Sequence, residues 1–244
     1  MSRVRLDQLL VKRGLSESRA RARAAIEAGG VTVDGQPVTS ASRQFEVDAV
    51  ITAIEAHRFV GRGALKLDHA LTLWPVAVED RVVLDVGAST GGFTEVCLER
   101  GATRVFAVDV GQGQMHARVA ADARVVNLEQ TDARNLDASI ITEAPQLVVC
   151  DASFIGLAKV LPQALGLAAV GADLIALVKP QFEAAGPKGI GKGGVVKDPE
   201  ARVAAVSGVA DWLAGIGWTV RETTPSPITG GDGNVEFLLW ATKG

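Results

Sequence analysis

The chain has 244 residues, 48% of them hydrophobic and 22% charged, which suits one large domain or a medium and a small one and is too apolar for a disordered protein. Its formal net charge is −3, but seven cations (Arg3, Arg5, Lys12, Arg13, Arg19, Arg21 and Arg23) face only Asp7 and Glu17 within residues 1–25, a local net of +5 that leaves the remainder near −8. The longest apolar runs, such as 173–178, have the length of a strand and not of a membrane span.

In chain order, residues 4–13 place Val4, Leu6, Leu9, Leu10 and Val11 with helical recurrence, and Gly14 ends the run. Ser16 is the expected N-cap of a second helix that turns Ala22, Ala25 and Ile26 inward and carries Arg19, Arg21 and Arg23 outward. Val31 to Val38 alternates around Asp34-Gly35, a hairpin signal. Two helices and a small sheet with arginines on the helices form a basic face suited to a polyanion such as RNA. Residues 1–57 are expected to be this small α+β domain, and 58–63 a linker.

From residue 64 to 244 the rhythm becomes βα alternation. Strands are expected at 81–86, 104–108, 124–127, 146–150, 173–178, 218–223 and 235–241, and helices at 64–73, 91–99, 114–121, 155–168 and 199–214. That order predicts an α/β domain with a seven-stranded, mostly parallel, Rossmann-like sheet. Ligands in such sheets sit beyond the carboxyl ends of the strands. The Gly- and Lys-rich stretch 184–197 is expected to be a loop. Residues 186–192 imitate a phosphate-binding loop, but Gly193 follows where Ser or Thr is needed.

The first strand ends in Asp85-Val-Gly87-Ala-Ser89-Thr-Gly91-Gly92-Phe93. A Gly-rich turn between strand and helix lets backbone approach a ligand. The dinucleotide spacing is broken by Ser89, and a carboxylate so close would repel a pyrophosphate. An acid suits a ligand that carries an ammonium and a sulfonium, as S-adenosylmethionine does. Asp109 closes the second strand, where a carboxylate can hold ribose hydroxyls. Asp132 follows the third, in reach of an adenine amino group. Four further polar groups are poorly explained by packing: Asp151 and Lys179 end apolar strands, Lys66 lies at the domain junction, and Glu236 opens the last strand. Converging, they would make a Lys/Asp/Lys/Glu cluster able to activate a ribose 2′-hydroxyl, which is a weak acid and a poor nucleophile. A lysine shielded by burial and a second cation becomes a usable base. Cys97 and Cys150 have no metal-type spacing, no metal is expected, and Cys150 lies within an apolar strand as a core thiol.

The chain resembles the TlyA family, often called hemolysin A, with a catalytic domain of the FtsJ type. The resemblance is carried by residues 61–67, 85–94, 108–114, 151–155, 179–183, 193–196, 198–199 and 233–237, and residues 3–60 resemble the S4 RNA-binding domain. It implies S-adenosylmethionine-dependent 2′-O-methylation of ribosomal RNA, typically at cytidine. It implies a tetrad of Lys66, Asp151, Lys179 and Glu236, with Lys179 activating the oxygen, Lys66 and Glu236 positioning it, and Asp151 near the methyl donor. Leu65 stands where the family pattern has His. A base methyltransferase, suggested by the distant echo of Asp151-Ala-Ser-Phe154, and an RNA-binding assembly factor without catalysis are the alternatives. Residues 1–7 lack the apolar core of a signal peptide, so a secreted hemolysin is disfavoured and a reduced, cytoplasmic setting is expected.

Overall fold

The computed structural model describes residues 3–16, 18–27, 30–53, 59–183, 194–230 and 233–244. Glu17, Gly29, His57 and the phosphate-loop imitation at 186–192 lie outside the described residues. The chain falls into two compact units, Met1–Arg62 and Gly63–Gly244.

In the first unit, β1 (Arg3–Arg5) leads into α1 (Leu6–Lys12), and α2 (Arg19–Glu27) precedes β2 (Val31–Val33), β3 (Gln36–Pro37), β4 (Gln44–Glu46) and β5 (Ile51–Ala53). The helix expected from residue 4 begins two residues later. Arg3 to Arg5 instead pair antiparallel with Glu46 to Gln44, a partner some forty residues away that helical periodicity does not reveal. The cap of α2 is Ser18, whose Oγ accepts from the Arg21 N–H. The expected cap, Ser16, donates its hydroxyl to the Ser18 carbonyl. Asp34 and Gly35 take φ of 50° and 76°, the left-handed pair that a tight hairpin needs. The Asp34 carboxylate also accepts from the Val50 N–H at 2.9 Å. Leu6, Leu10, Ala22, Ile26, Val31 and Val33 form the core.

In the second unit, α3 (Ala64–Leu73) is followed by β6 (Val82–Val86), α4 (Gly92–Glu99), β7 (Arg104–Val108), α5 (Ala117–Ala120) and β8 (Val125–Leu128). After them come β9 (Leu147–Cys150), α6 (Leu157–Val160), α7 (Pro162–Leu167), β10 (Asp173–Val178), α8 (Pro180–Glu183), α9 (Pro199–Gly215), β11 (Trp218–Pro225) and β12 (Phe237–Lys243). The seven strands lie in the order β11-β12-β10-β9-β6-β7-β8. Among them, β12 alone runs against its neighbours, β10 and β11. β9 and β10 are buried along their whole length, as strands covered on both faces are. The helix expected at 155–168 is two helices, because Pro162 has no N–H to continue the first and begins the second at its preferred first position. The helix expected from 114 starts only at Ala117, because the N–H groups of Gly113, Gln114 and Met115 donate to the Glu129 carboxylate. Among the described residues, no helix is long and apolar enough to cross a membrane.

From β6 the chain goes to β7 and β8 on one side, then returns to β9 on the other side of β6. The carboxyl ends of β6 and β9 therefore border the switch point at which ligands bind in open α/β sheets.

Candidate active site

Gly87 follows β6 with φ +84°, and a Cβ there would lie 2.8 Å from the Ala152 Cα just beyond β9. Only glycine fits so close an approach. Beside it opens a cavity of about 480 Å³ lined in part by Gly87, Ser89, Asp109, Asp132 and Asp151. The cavity also takes in Gln114, Ser153 and Phe154, none of which is among the cofactor residues expected from the sequence.

The remaining residues expected at the cofactor do not line this cavity. Gly91 caps α4 in the left-handed conformation, and Gly92 and Phe93 are buried in its first turn. Gly91 and Gly92 shape the turn, and Phe93 packs near Gly63. Asp85 is wholly buried, with the Thr94 hydroxyl donating to its Oδ2 at 2.6 Å. Its Oδ1 has no hydrogen-bond partner among the described residues. Burial pushes its carboxyl up to about 7, with Asp151 and Asp109 adding to the rise and Thr94 opposing it.

Asp109 has each oxygen engaged by a backbone amide, Oδ2 by Ser89 at 2.8 Å and Oδ1 by Gly111 at 2.7 Å. This fixes the carboxylate at the cavity wall and leaves each oxygen a further acceptor direction. Asp132 caps the 3₁₀ turn Ala133–Asn135. It is bound by the Arg134 guanidinium, which holds it below the usual carboxylate range.

The four polar groups singled out in the sequence converge at one edge of this cavity. Lys66 projects from the first turn of α3, Asp151 and Lys179 follow β9 and β10, and Glu236 sits one residue before β12. Lys66 Nζ lies 2.7 Å from Glu236 Oε2 and 3.3 Å from Asp151 Oδ2. Lys179 Nζ lies 2.6 Å from Asp151 Oδ1 and also donates to the Asp151 carbonyl at 3.0 Å and to Ser153 Oγ at 2.8 Å. Asp151 thus bridges two ammonium groups. Lys66, Lys179 and Glu236 are buried, and two cations face two carboxylates. α3 can start this close because Gly63 has no side chain: a Cβ there would lie 3.1 Å from Asp151 Oδ2.

Ser153 and Phe154 belong to the short run 151–155, which the sequence marks through Asp151 and through its distant echo of a base-methyltransferase loop. Phe154 takes φ +68° and is 88% exposed, its ring 5.4 Å from that of Phe182. Cys150 is buried in β9, and burial pushes its thiol up to about 12, which leaves it inert as a nucleophile.

In the N-terminal unit Arg5 and Arg19 both bind Asp7, Arg3 pairs with Glu46, Arg23 with Glu27, and Arg13 donates to the Ala49 carbonyl. Lys12 is exposed. Arg21 is buried. The expectation that it turns outward with its neighbours is corrected: its place on α2 faces the core, so it does not join the exposed basic set.

The FtsJ-like methyltransferase family matches residues 59–243, and the S4 domain matches residues 4–51. The chain is 47% identical, over 98% of its length and 89% of the relative's, to the 16S/23S rRNA (cytidine-2′-O)-methyltransferase TlyA of Mycobacterium tuberculosis. It is 35% identical to Hemolysin A of Brachyspira hyodysenteriae, over 96% of its length and 98% of that protein's. A solved structure from Streptococcus thermophilus, named for a hemolysin, superposes with a TM-score of 0.79 at 36% identity, covering 100% of this chain and 89% of that one.

Proposed function

The chain belongs to the FtsJ-like methyltransferase family, with an S4 domain ahead of the transferase, and from that premise we propose that it transfers a methyl group from S-adenosylmethionine to a ribose 2′-hydroxyl of ribosomal RNA, at cytidine. The observation that carries this reading is the convergence of Lys66, Asp151, Lys179 and Glu236 at the rim of the switch-point cavity. The identity to a cytidine-2′-O-methyltransferase supports the substrate. In this reading residues 1–57 bind RNA, 58–63 link, and 64–244 catalyse. The substrate is ribosomal RNA, free or within a subunit, and the reaction is cytoplasmic.

The cavity residues fit the cofactor. Gly87 borders the cavity without a side chain, Asp109 would hold the ribose hydroxyls, Asp132 would accept from the adenine amino group, and Asp151 would supply negative potential suited to a cationic ligand. When bound, S-adenosylmethionine supplies an electrophilic methyl on a sulfonium leaving group. The protein then has mainly to align oxygen, carbon and sulfur and to stabilise the charge that grows on the oxygen as its proton leaves.

Lys179 is the activating group: its Nζ, held by Asp151 Oδ1, the Asp151 carbonyl and Ser153, takes the hydroxyl proton as the methyl is transferred. Lys66, held by Glu236 and Asp151, positions the hydroxyl from the other side, and Asp151 keeps both lysines near the methyl donor. Phe154, exposed at the rim, offers a nucleobase a stacking face. Arg3, Arg5, Lys12, Arg13, Arg19 and Arg23 contact phosphates, which give affinity without sequence choice.

The test is mass spectrometry of nucleosides from ribosomal RNA and from intact subunits incubated with the protein and methyl-labelled S-adenosylmethionine, with Lys179→Ala as control. Labelled 2′-O-methylcytidine that vanishes in the variant is the expected result. Label on a base overturns the ribose mechanism. Absence of label despite cofactor binding overturns catalysis on ribosomal RNA.

A further inference from the structure

Glu236 carries half of the grip on Lys66, yet it lies outside the sheet. The ladder between β10 and β12 ends at the pair Val178 and Phe237, so the strand does not hold the carboxylate in place. Two bonds of the preceding segment do part of this work. The Ser226 N–H donates to the Glu236 carbonyl at 2.8 Å, and the Gly230 N–H donates to the Asn234 carbonyl at 2.9 Å. Gly230 lies directly beneath the carboxylate: a Cβ there would be 2.5 Å from Glu236 Oε1.

The Asn234 side chain is buried two residues before Glu236. Its Oδ1 accepts from the Val196 N–H at 2.9 Å, and its Nδ2 donates to the Gly194 carbonyl at 3.1 Å. The Val196 carbonyl in turn accepts from Arg202 Nε at 2.9 Å, which ties the segment to α9, capped by Asp198. Among the described residues, this amide joins the stretch around Gly194–Val196 to the stretch around Glu236. A buried amide with both ends bonded fixes geometry more stringently than apolar contact would.

We propose that Asn234 is a positioning residue of the transferase site: by locking the 194–196 segment to the turn before Glu236, it sets the carboxylate that orients Lys66 Nζ. The inference rests on the functional reading above for its kinetic consequence, but the geometry it claims can be read without RNA.

The experiment pairs two measurements on Asn234→Ala. In the first, lysines are acylated with acetic anhydride and followed residue by residue by mass spectrometry. Lys66 is expected to react several-fold faster than in the unaltered protein, with exposed Lys159 unchanged. In the second, kcat is expected to fall by about tenfold or more, as misplacement of a reacting group costs. The KM for RNA and the Kd for S-adenosylmethionine should hold. In a Glu236→Gln background the same substitution should cost nothing further, since a positioning residue acts only through the group it positions. Unchanged Lys66 labelling overturns the proposal whether or not RNA is methylated. Full kcat in Asn234→Ala, or an equal loss in both backgrounds, overturns it while leaving the methyltransferase reading intact. An unaltered protein that fails on RNA overturns that reading, and the labelling then decides the role of Asn234.

Discussion

The two units each build a network in which basic side chains share a carboxylate, and they place it differently. In the N-terminal unit Asp7 is buried while its partners Arg5 and Arg19 stay in solvent, with side chains 41% and 58% exposed. Arg5 first, and Arg19 with it, hold the Asp7 carboxyl down to about 2 against its burial. In the C-terminal unit Lys66 and Lys179 are themselves buried around Asp151. Water screens the first network and lets a phosphate compete for the arginines. The second is shielded, so each ion depends on the others and the field inside acts on whatever enters. Surface cations over a buried acid suit reversible binding of a polyanion, whereas a buried, balanced cluster suits chemistry.

The largest break of this contrast is Lys66→Ala. It leaves Asp151 and Glu236 with Lys179 as the only cation of the cluster. Removing one partner of a buried pair costs about 3–5 kcal/mol, so the melting temperature of the C-terminal unit should fall, and methyl transfer should drop roughly 10³-fold. A variant with ordinary Tm and less than a tenfold loss would show that the cluster is not a unit.

Asp85→Asn should have an intermediate effect that depends on pH. The folded carboxyl titrates near 7, raised from 3.8 by burial. Between those values the folded state holds a proton that the unfolded state has released, so stability falls as pH rises through this window. The amide variant carries no such proton and should therefore melt higher than the parent at pH 8, by up to a few kcal/mol in free energy. The gain should fade towards pH 4, as followed by thermal unfolding at each pH. A pH-independent difference would assign the effect to packing.

The smallest change is expected at the other network. Arg3→Ala removes an exposed pair with Glu46, so unfolding should be unaltered, while the slope of log affinity for RNA against log salt should decrease by about 1. An unchanged slope removes Arg3 from the RNA face.

The sequence by itself determined the alternation of strands and helices, the Asp34-Gly35 hairpin, and the four polar groups worth following, because each is written in neighbouring residues: a period, a turn pair, a charge ending an apolar strand. It misplaced what depends on remote partners. Ser16 and Ser18 are equally good caps in isolation, and a strand at Arg3–Arg5 exists only because Glu46 to Gln44 lie beside it. Asp85 and Arg21 carry charge but are sealed by packing that the local pattern does not report. Tertiary structure alone brought Lys66 to Glu236, 170 residues later, gave Lys179 the Ser153 hydroxyl, exposed Phe154 at the rim, and set the Asn234 amide against Gly194 and Val196. The reason is physical: local propensity and periodicity act over a few residues, whereas the field and geometry of a site arise where strand ends distant in the chain are packed together.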